Sequence, residues 1–375
     1  MRFPEFSGEW KCTTIGNIGD IKNGPFGSVL HAEDYVKNGI PIVTTEHFKT
    51  GLMPSDKFGI PQVSNEDYIR LKGYRLETND IVFSRVGSVD INAHVGIEQN
   101  GWLFSGRVLR VRPKYDIDSL FLHYALSTEA VKRDIRNRAV GQTMPSINTP
   151  ILSSTTIQLP KDLFEQKKVA HFLRLLDKRI ITQNKIIEKL QSLIKGIAQH
   201  CIKESTSGNT YVKLGDICQI TTGKLDANAQ VDNGIYPFFT CAERPFKIDS
   251  FAFDTEALLI SGNGANLGYI NYYKGKFNAY QRTYVLDLFS ENIQYIKWAL
   301  KVLLPKRIAI EKSSSNTPYI VLSTLTDLRL PIPCKSKQSF IANLMQSLER
   351  KLSNQIAQYD SYNYLKQYLL RQMFI

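Results

Sequence analysis

Cysteine is scarce in this sequence, and the cysteines that are present are scattered. There are five in 375 residues, and no two stand at the C-x-x-C spacing of a zinc ribbon or a redox pair. An odd, dispersed set also does not suit a disulfide framework. The sequence therefore predicts a protein of a reducing compartment, without structural disulfides or zinc.

Long apolar runs and a secretory leader are also missing. No stretch approaches the roughly 18 consecutive apolar residues that cross a membrane. Residues 1–11 include acidic residues with an early Pro and Gly, so they are not expected to be a signal peptide. These absences predict a cytoplasmic protein with no membrane partner.

Catalytic signatures are absent too. There is no P-loop, no H-E-x-x-H among the six histidines, and the glycines at 262–268 miss the G-x-G-x-x-G spacing. The nearest match to the Asn/Asp-Pro-Pro-aromatic loop of DNA amino-methyltransferases is N-T-P-Y at 316–319, and its counterpart at 142–146 loses the pattern. We therefore predict no catalytic, metal-binding or cofactor-binding residue in this chain.

A large excess of positive charge is what the composition does contain. The formal net charge is +12 at pH 7, which predicts attraction to polyanions. A merely basic protein without such a partner is the competing interpretation. With 43% hydrophobic residues, a chain of this length suits two domains better than one core.

Two long amphipathic segments, 163–203 and 336–374, repeat each other at a constant spacing of 172 residues. At about 1.5 Å per residue each would form a helix roughly 60 Å long, which cannot bury its apolar stripe in a small globular half. We predict that the two helices pack together as an antiparallel coiled coil. The predicted core positions are Phe172, Leu176, Ile180, Gln183, Ile187 and Leu190, matched by Leu344, Leu348, Leu352, Gln355, Tyr359 and Tyr362.

The globular halves repeat as well. Residues 15–18 resemble 214–217, residues 81–88 align with 258–265, and 121–126 resemble 295–300. In each half, short β-type runs between turn residues precede a helix, predicted at 118–137 and 293–310, and a last strand, predicted at 156–159 and 325–330.

This order predicts an α+β protein with two similar, mixed β-rich halves and a pseudo-two-fold relation. The predicted parts are a first globular half at 1–161, a central long helix at 162–206, a second globular half at 207–335 and a C-terminal long helix at 336–375.

These features together resemble the specificity subunit of bacterial type I restriction-modification systems. The resemblance depends on the IGNIGDIKNG opening at 15–24, the strand and glycines at 81–88, the junction and helix at 159–180, and LIKGIAQ at 193–199. No single motif is specific, but their order is found twice and covers nearly the whole chain. The second copy departs at its junction, 331–338, where it keeps only the Gln.

The resemblance implies a non-catalytic subunit. Each half would be a target recognition domain that reads one part of a split, asymmetric site in double-stranded DNA, and the helices would set the separation of the parts. Two methyltransferase subunits would methylate adenine with S-adenosylmethionine. Restriction subunits that act as motor and nuclease would use ATP and Mg²⁺.

Candidate DNA contacts are basic and amide side chains near turns, because phosphates and base edges are bound by these groups. In the first half they are Lys22, Arg85, Arg107, Lys132, Arg133, Arg136, Arg138 and Gln142. In the second half they are Lys224, Arg244, Lys247, Asn263, Asn266, Gln281, Arg282, Lys306, Arg307, Lys312 and Asn316. For each residue alone, a solvated surface charge is the competing interpretation.

Two other functions stay open on the sequence. One is a self-contained DNA methyltransferase or nuclease with degenerate motifs. The other is a duplicated coiled-coil adaptor that does not bind DNA. Binding of S-adenosylmethionine by the isolated chain, and retention on heparin or duplex DNA at low salt, discriminate them.

Overall fold

The fold is that of a computed structural model, in which residues 2–25, 30–205, 210–311 and 319–374 are described. The chain forms two compact units. Unit 1 is Met1–Gln183 with Tyr359–Ile375, and unit 2 is Asn184–Gln358. Each long helix is thus divided between the units, whereas the sequence predicts each long helix as a part of its own. The boundaries of the four predicted parts stay a prediction.

Among its described residues, unit 1 has ten short strands and five α-helices, followed by the first part of a long helix. The strands are β1 Lys11–Thr14, β2 Gly19–Asn23, β3 Tyr35–Val36, β4 Ile40–Val43, β5 Gln62–Val63, β6 Ile81–Ser84, β7 Asn92–His94, β8 Leu103–Phe104, β9 Val108–Pro113 and β10 Thr156–Leu159. The helices are α1 Ile15–Ile18, α2 Asn65–Arg70, α3 Ser119–Leu126, α4 Glu129–Arg138, α5 Thr149–Ser153 and the long α6 Leu163–Glu204.

Unit 2 follows the same order with fewer, longer strands. They are β11 Thr210–Lys213, β12 Gln219–Thr222, β13 Tyr236–Phe239, β14 Phe246–Ile248, β15 Phe253–Ser261, β16 Ile270–Ala279, β17 Thr283–Asp287 and β18 Arg329–Ile332. Its helices are α7 Ile293–Glu311, α8 Leu322–Thr326 and the long α9 Lys335–Met373.

The strand pairings of the two units are similar, although unit 1 has two four-stranded sheets where unit 2 has one six-stranded sheet. In unit 1, β1 pairs with β10, and the strand orders are β2-β9-β6-β7 and β3-β5-β4-β8. In unit 2, β11 pairs with β18, and one sheet has the order β12-β17-β15-β16-β13-β14. In both, one strand pair is parallel, β4 with β8 or β13 with β16, whereas the other strand pairs among the described residues are antiparallel. The predicted α+β class with two similar halves is confirmed.

The long helices pair inside each unit. In unit 1 the start of α6 and the end of α9 contribute to one core, through Leu173 and Leu369 among others, and Lys366 Nζ lies 2.6 Å from Asp177 Oδ1. In unit 2 the end of α6 meets the start of α9, where Lys337 Nζ donates to the Glu204 carbonyl at 3.1 Å. This is the antiparallel order that the repeat predicts.

The apolar stripe is correctly placed on α6 from Gln183 to Leu190 but shifted by one residue at its start. Phe172 is 41% exposed, while Leu173 is fully buried. The equivalent Met345 is likewise buried beside a half-buried Leu344. The reason is that the first turns of each long helix pack on the globular part of their own unit as well as on the other helix. The remaining predicted positions are partly buried: Leu176, Ile180, Leu348, Leu352, Gln355, Tyr359 and Tyr362.

Two secondary-structure predictions were wrong in detail. The helix predicted at 118–137 is broken into α3 and α4, because the Ser127 and Thr128 hydroxyls donate to the carbonyls of His123 and Ala125 and end the first helix. The strand predicted at 325–330 begins only at Arg329. The apolar residues before it recur at a three-residue spacing, which is helical, and they form α8 and the turn after it.

Candidate nucleic-acid interface

A four-residue turn leads into β9 of unit 1. The Val108 N–H donates to the Ser105 carbonyl at 3.0 Å, and the Ser105 N–H donates to the Val43 carbonyl at the end of β4 at 2.9 Å. Arg107 is the third residue of this turn, and its side chain is exposed. The turn is therefore held to the sheet by backbone bonds, while the arginine projects into solvent.

Unit 2 has the same turn at the start of β17. The Thr283 N–H donates to the Tyr280 carbonyl at 2.8 Å, and the Tyr280 N–H donates to the Phe239 carbonyl at the end of β13 at 2.9 Å. Its third residue is the exposed Arg282. Neither guanidinium makes a hydrogen bond or an ion pair with another residue that the structure describes. Two arginines predicted independently thus occupy one structural position.

A glycine lies beside each turn for a steric reason. A Cβ on Gly24 would come 1.9 Å from the Ser105 carbonyl oxygen, and a Cβ on Gly223 would come 1.9 Å from the Ala279 oxygen. The glycine N–H groups donate to the carbonyls of Val108 and Thr283, at 3.0 and 3.2 Å. Only glycine lets the chain approach this closely, which explains why both units have glycine at this position.

A third segment packs on the other side of each turn. In unit 1 the Arg85 N–H donates to the Arg107 carbonyl at 3.0 Å, and the Ile147 N–H donates to the Arg85 carbonyl at 2.9 Å. In unit 2 the Gly262 N–H donates to the Arg282 carbonyl, and the Ile320 N–H to the Gly262 carbonyl, both at 2.8 Å.

We call this surface the loop edge of each unit. In unit 1 it comprises residues 24–25, 85–88, 105–107 and 140–146. In unit 2 it comprises 223–225, 262–268, 280–282 and Tyr319, since Asn263 and Tyr319 form the same β-bridge as Val86 and Ser146. The loop edge gathers candidates that are far apart in sequence onto one side of each sheet.

In unit 1, three of the predicted contact residues belong to this edge. Arg107 and Gln142 are exposed, whereas Arg85 is half-buried and donates to the Gly106 carbonyl at 3.1 Å. Lys22 lies within β2, where its ammonium is 5.1 Å from the ring centre of Tyr74. Arg85 thus helps to hold the turn in place as well as facing the edge.

The four basic residues of α4 differ in how far they are engaged within the fold. Arg133 is exposed and Lys132 is half-buried. Arg136 forms ion pairs with Asp90 and Glu129. Arg138 pairs with Asp134 and donates to the Ile151 carbonyl at 3.0 Å and to Thr155 Oγ1 at 2.5 Å. Arg138 therefore joins α4 to α5, and Arg133 is the better placed of the two to meet a phosphate.

In unit 2 the loop-edge amides are also engaged. Cys241 Sγ donates to Asn263 Oδ1 at 3.0 Å, and Asn266 Nδ2 donates to the Cys241 carbonyl at 3.0 Å. Arg307 pairs with Glu311 at 2.6 Å on α7. The remaining described candidates of unit 2 have exposed side chains: Lys224, Arg244, Lys247, Gln281, Arg282 and Lys306. The predicted contacts Lys312 and Asn316 lie outside the described residues.

Sequence reasoning missed a cavity of about 440 Å³ beside Arg107 in unit 1. Tyr35, Thr44, Thr45 and Glu46 line it with the turn that carries the arginine. The hydrogen bond from Lys49 lowers the pKa of Glu46, so this carboxylate is ionised at neutral pH. A signal is available in the sequence, because residues 38–45, NGIPIVTT, resemble residues 233–241, NGIYPFFTC. This resemblance aligns the end of β4 with the end of β13 but does not show that β8 brings the turn beside it.

Two kinds of arrangement are absent among the described residues. No group of three His, Cys, Asp or Glu side chains in residues 2–25, 30–205, 210–311 and 319–374 is arranged to hold a metal ion. Within the same ranges, none of the helices combines the length and the apolarity that a membrane span requires.

The family comparison covers both halves of the chain. The sequence profile of the type I restriction modification DNA specificity domain matches residues 7–192 and again residues 206–359. The chain belongs to this family. As a member with two matches, this specificity-family protein carries one copy of the domain in each half, which agrees with the duplicated loop edge.

Individual relatives match over different extents. A type I specificity subunit of Escherichia coli is 44% identical over 137 residues, which is 36% of this chain and 30% of that protein. One from Methanocaldococcus jannaschii is 24% identical over 93% of this chain and 87% of its own length. A strong local match and a weaker full-length match therefore point to the same family.

Solved structures match the fold along the full chain. The type I S subunit of M. genitalium superposes with a TM-score of 0.68 at 18% identity, over 100% of this chain and 99% of that one. A chain from a study of complex assembly and conformational transition of the type I R-M system gives 0.59 at 16% identity, over 99% and 98%. At these identities the likeness concerns the fold.

Proposed function

We propose that this chain is the DNA-sequence-specificity subunit of a type I restriction-modification complex. Each unit reads one half of a bipartite, asymmetric site in double-stranded DNA with its loop edge. The long helices α6 and α9 act as the spacer between the halves. The observation that carries the proposal is the loop edge, which recurs with the same backbone hydrogen bonds in both units and presents one exposed arginine in each.

The chemistry in this proposal belongs to other subunits. Two methyltransferase subunits methylate adenine with S-adenosylmethionine, and restriction subunits use ATP and Mg²⁺. We assign this chain no catalytic residue and no cofactor of its own, and we expect it to act in the cytoplasm.

The first experiment separates the scaffold from an enzyme or an adaptor. We expect the purified chain to bind duplex DNA weakly and with strong salt dependence, since phosphate contacts dominate such binding. Addition of the methyltransferase subunit should give sequence-specific binding and adenine methylation. Methylation by the chain alone would make it an enzyme, and loss of DNA retention at low salt would favour an adaptor.

A second experiment tests the spacer. Seven helical residues inserted in α6 between Gln183 and Asn184, together with seven in α9 between Gln358 and Tyr359, leave the contacts inside each unit intact. Seven residues add about 10 Å of helix, the rise of about 3 base pairs. The methylated site should keep both half-sequences and gain a longer gap. An unchanged gap in a folded, active variant would show that the helices do not set the separation.

A further inference from the structure

We propose that Arg107 and Arg282 form a matched pair of phosphate-anchoring residues, which fix each unit on the DNA backbone without selecting a base. This inference rests on the proposed function and adds a division of labour within each loop edge. The shared arginine positions each unit on the DNA backbone, and the differing side chains around it read the base sequence.

The structural equivalence of the two arginines is complete at the level of the backbone. Each is the third residue of a turn that is closed by the N–H of the next residue. Each turn is also hydrogen-bonded to the end of a strand that belongs to the parallel pair, β4 in unit 1 and β13 in unit 2. Each arginine carbonyl accepts from the neighbouring loop, Arg85 N–H in one unit and Gly262 N–H in the other. Because main-chain bonds place both residues, the match does not depend on similar neighbouring side chains.

The chemistry of the exposed guanidinium suits phosphate. Both side chains are exposed and make no ion pair with a described residue, so they meet DNA without first breaking an internal contact. A guanidinium can donate two parallel bonds to a phosphate, which is present at every step of the duplex. Positioning of this kind is needed equally by both units.

Base selection, by contrast, requires the two units to differ, because the two halves of an asymmetric site differ. The arginine is the same in both, so it cannot carry the difference. The residues beside it do change between the units: Arg85 is replaced by Gly262, Val86 by Asn263, and Thr45 by Cys241. These neighbouring positions are the ones we assign to base reading.

The test uses the full chain in complex with its methyltransferase subunits and a random-sequence duplex library. We expect Arg107→Ala to weaken binding roughly tenfold for every sequence, and to reduce the slope of log affinity against log salt by about 1. The selected motif should stay unchanged in both halves. Arg107→Lys should recover most of the affinity, because lysine still binds phosphate as a point charge. Arg282 variants should behave alike.

Arg329→Ala is the matched control, because this exposed arginine lies in β18 outside the loop edge. It should change neither affinity nor motif. A base position that relaxes in Arg107→Ala and stays relaxed in Arg107→Lys would overturn the inference, since it would show bidentate base contact. An unchanged salt slope would overturn it too. If the wild-type complex selects no motif, the proposed function fails instead, and the salt slope still reports the phosphate contact.

Discussion

Gln166 and Gln338 make the same pair of hydrogen bonds in the two units. Gln166 Oε1 accepts from the Asp118 N–H at 2.9 Å, and its Nε2 donates to the Pro160 carbonyl at 3.0 Å. Gln338 repeats this with the Asn292 N–H at 3.0 Å and the Pro333 carbonyl at 2.9 Å. Each glutamine is 1% exposed. It joins the first turn of a long helix to the segment after the last strand, at Pro160 or Pro333, and to the residue before α3 or α7.

We therefore expect Gln166→Ala and Gln338→Ala to lower the free energy of unfolding by about 2 kcal/mol each, because a part-buried N–H and a buried carbonyl lose their partner. Denaturant unfolding of the full chain measures this. Gln191→Ala, at an exposed position of α6, is the control and should change stability by less than about 0.5 kcal/mol. Equal stability of all three variants would contradict the role of the buried glutamines.

The close approach at Gly24 and Gly223 makes a second prediction. Alanine at either position must displace the turn that carries Arg107 or Arg282, so DNA binding should fall together with stability. Gly196→Ala is the matched control, since no atom lies within 4 Å of its Cβ position on α6. It should raise stability by roughly 0.5–1 kcal/mol, because alanine favours the helix. DNA affinity unaffected by Gly24→Ala would contradict the assignment of the turn to the interface.

Two basic residues of α4 should have different functions, one in stability and the other in DNA binding. Arg138→Ala removes the contacts that join α4 to Ile151 and Thr155, and we expect a loss of about 1–2 kcal/mol of stability. Arg133→Ala removes an exposed charge, and we expect unchanged stability and weaker, less salt-dependent DNA binding. Thermal unfolding and a salt titration of binding measure the two effects. The reverse pattern would assign the DNA contact to Arg138.

Two histidines, the buried His123 and the half-buried His94, predict the acid sensitivity of unit 1. Burial lowers the pKa of His94 to about 4 and that of His123 to about 3. Their ring nitrogens contact Ser119 Oγ at 2.7 Å and Asn92 Oδ1 at 2.6 Å. Above pH 6.5 these histidines are neutral in both the folded and the unfolded chain, so they do not make stability depend on pH. As the pH falls from 6.5 towards 4, the unfolded chain binds protons that the folded unit cannot, so stability decreases.

The expected slope is up to about 1.4 kcal/mol per pH unit for each histidine. Denaturant unfolding between pH 7.5 and 4.5 measures it. His94→Gln, which keeps a polar group near Ser119, should flatten the dependence, whereas His200→Gln, at an exposed position, should not. Parallel curves for wild type and His94→Gln would contradict a neutral His94 in the folded unit.

Much of the fold follows from patterns that are local in sequence. The heptad-like spacing placed the long helices, and alternation placed the strand Thr156–Leu159. The break between α3 and α4 was missed because it depends on hydroxyl-to-carbonyl bonds of Ser127 and Thr128, which leave the apolar pattern unchanged. The one-residue shift at Leu173 was missed because it is set by the globular core, which periodicity does not describe.

The site was predictable in residue type more than in arrangement. Arg107 and Arg282 are predicted as basic residues near turns, yet the tetrapeptides that hold them share no other residue, so local sequence similarity does not show that they are equivalent. Their equivalence arises because strands that are far apart in the sequence pair with each other. The cavity between Tyr35 and Arg107 arises in the same way. Such placement is fixed by backbone hydrogen bonds between distant segments.

The most direct measurement is the methylated motif in host DNA, read for wild type and for single loop-edge variants expressed with the methyltransferase subunit. If each unit recognises its own half of the DNA site, the methylated motif should be split and should contain adenine. This arrangement also predicts that Gln142→Ala relaxes positions in one half only, and that Asn263→Ala relaxes positions in the other half only. A contiguous motif, or changes in both halves from a single variant, would contradict two separate readers on one chain.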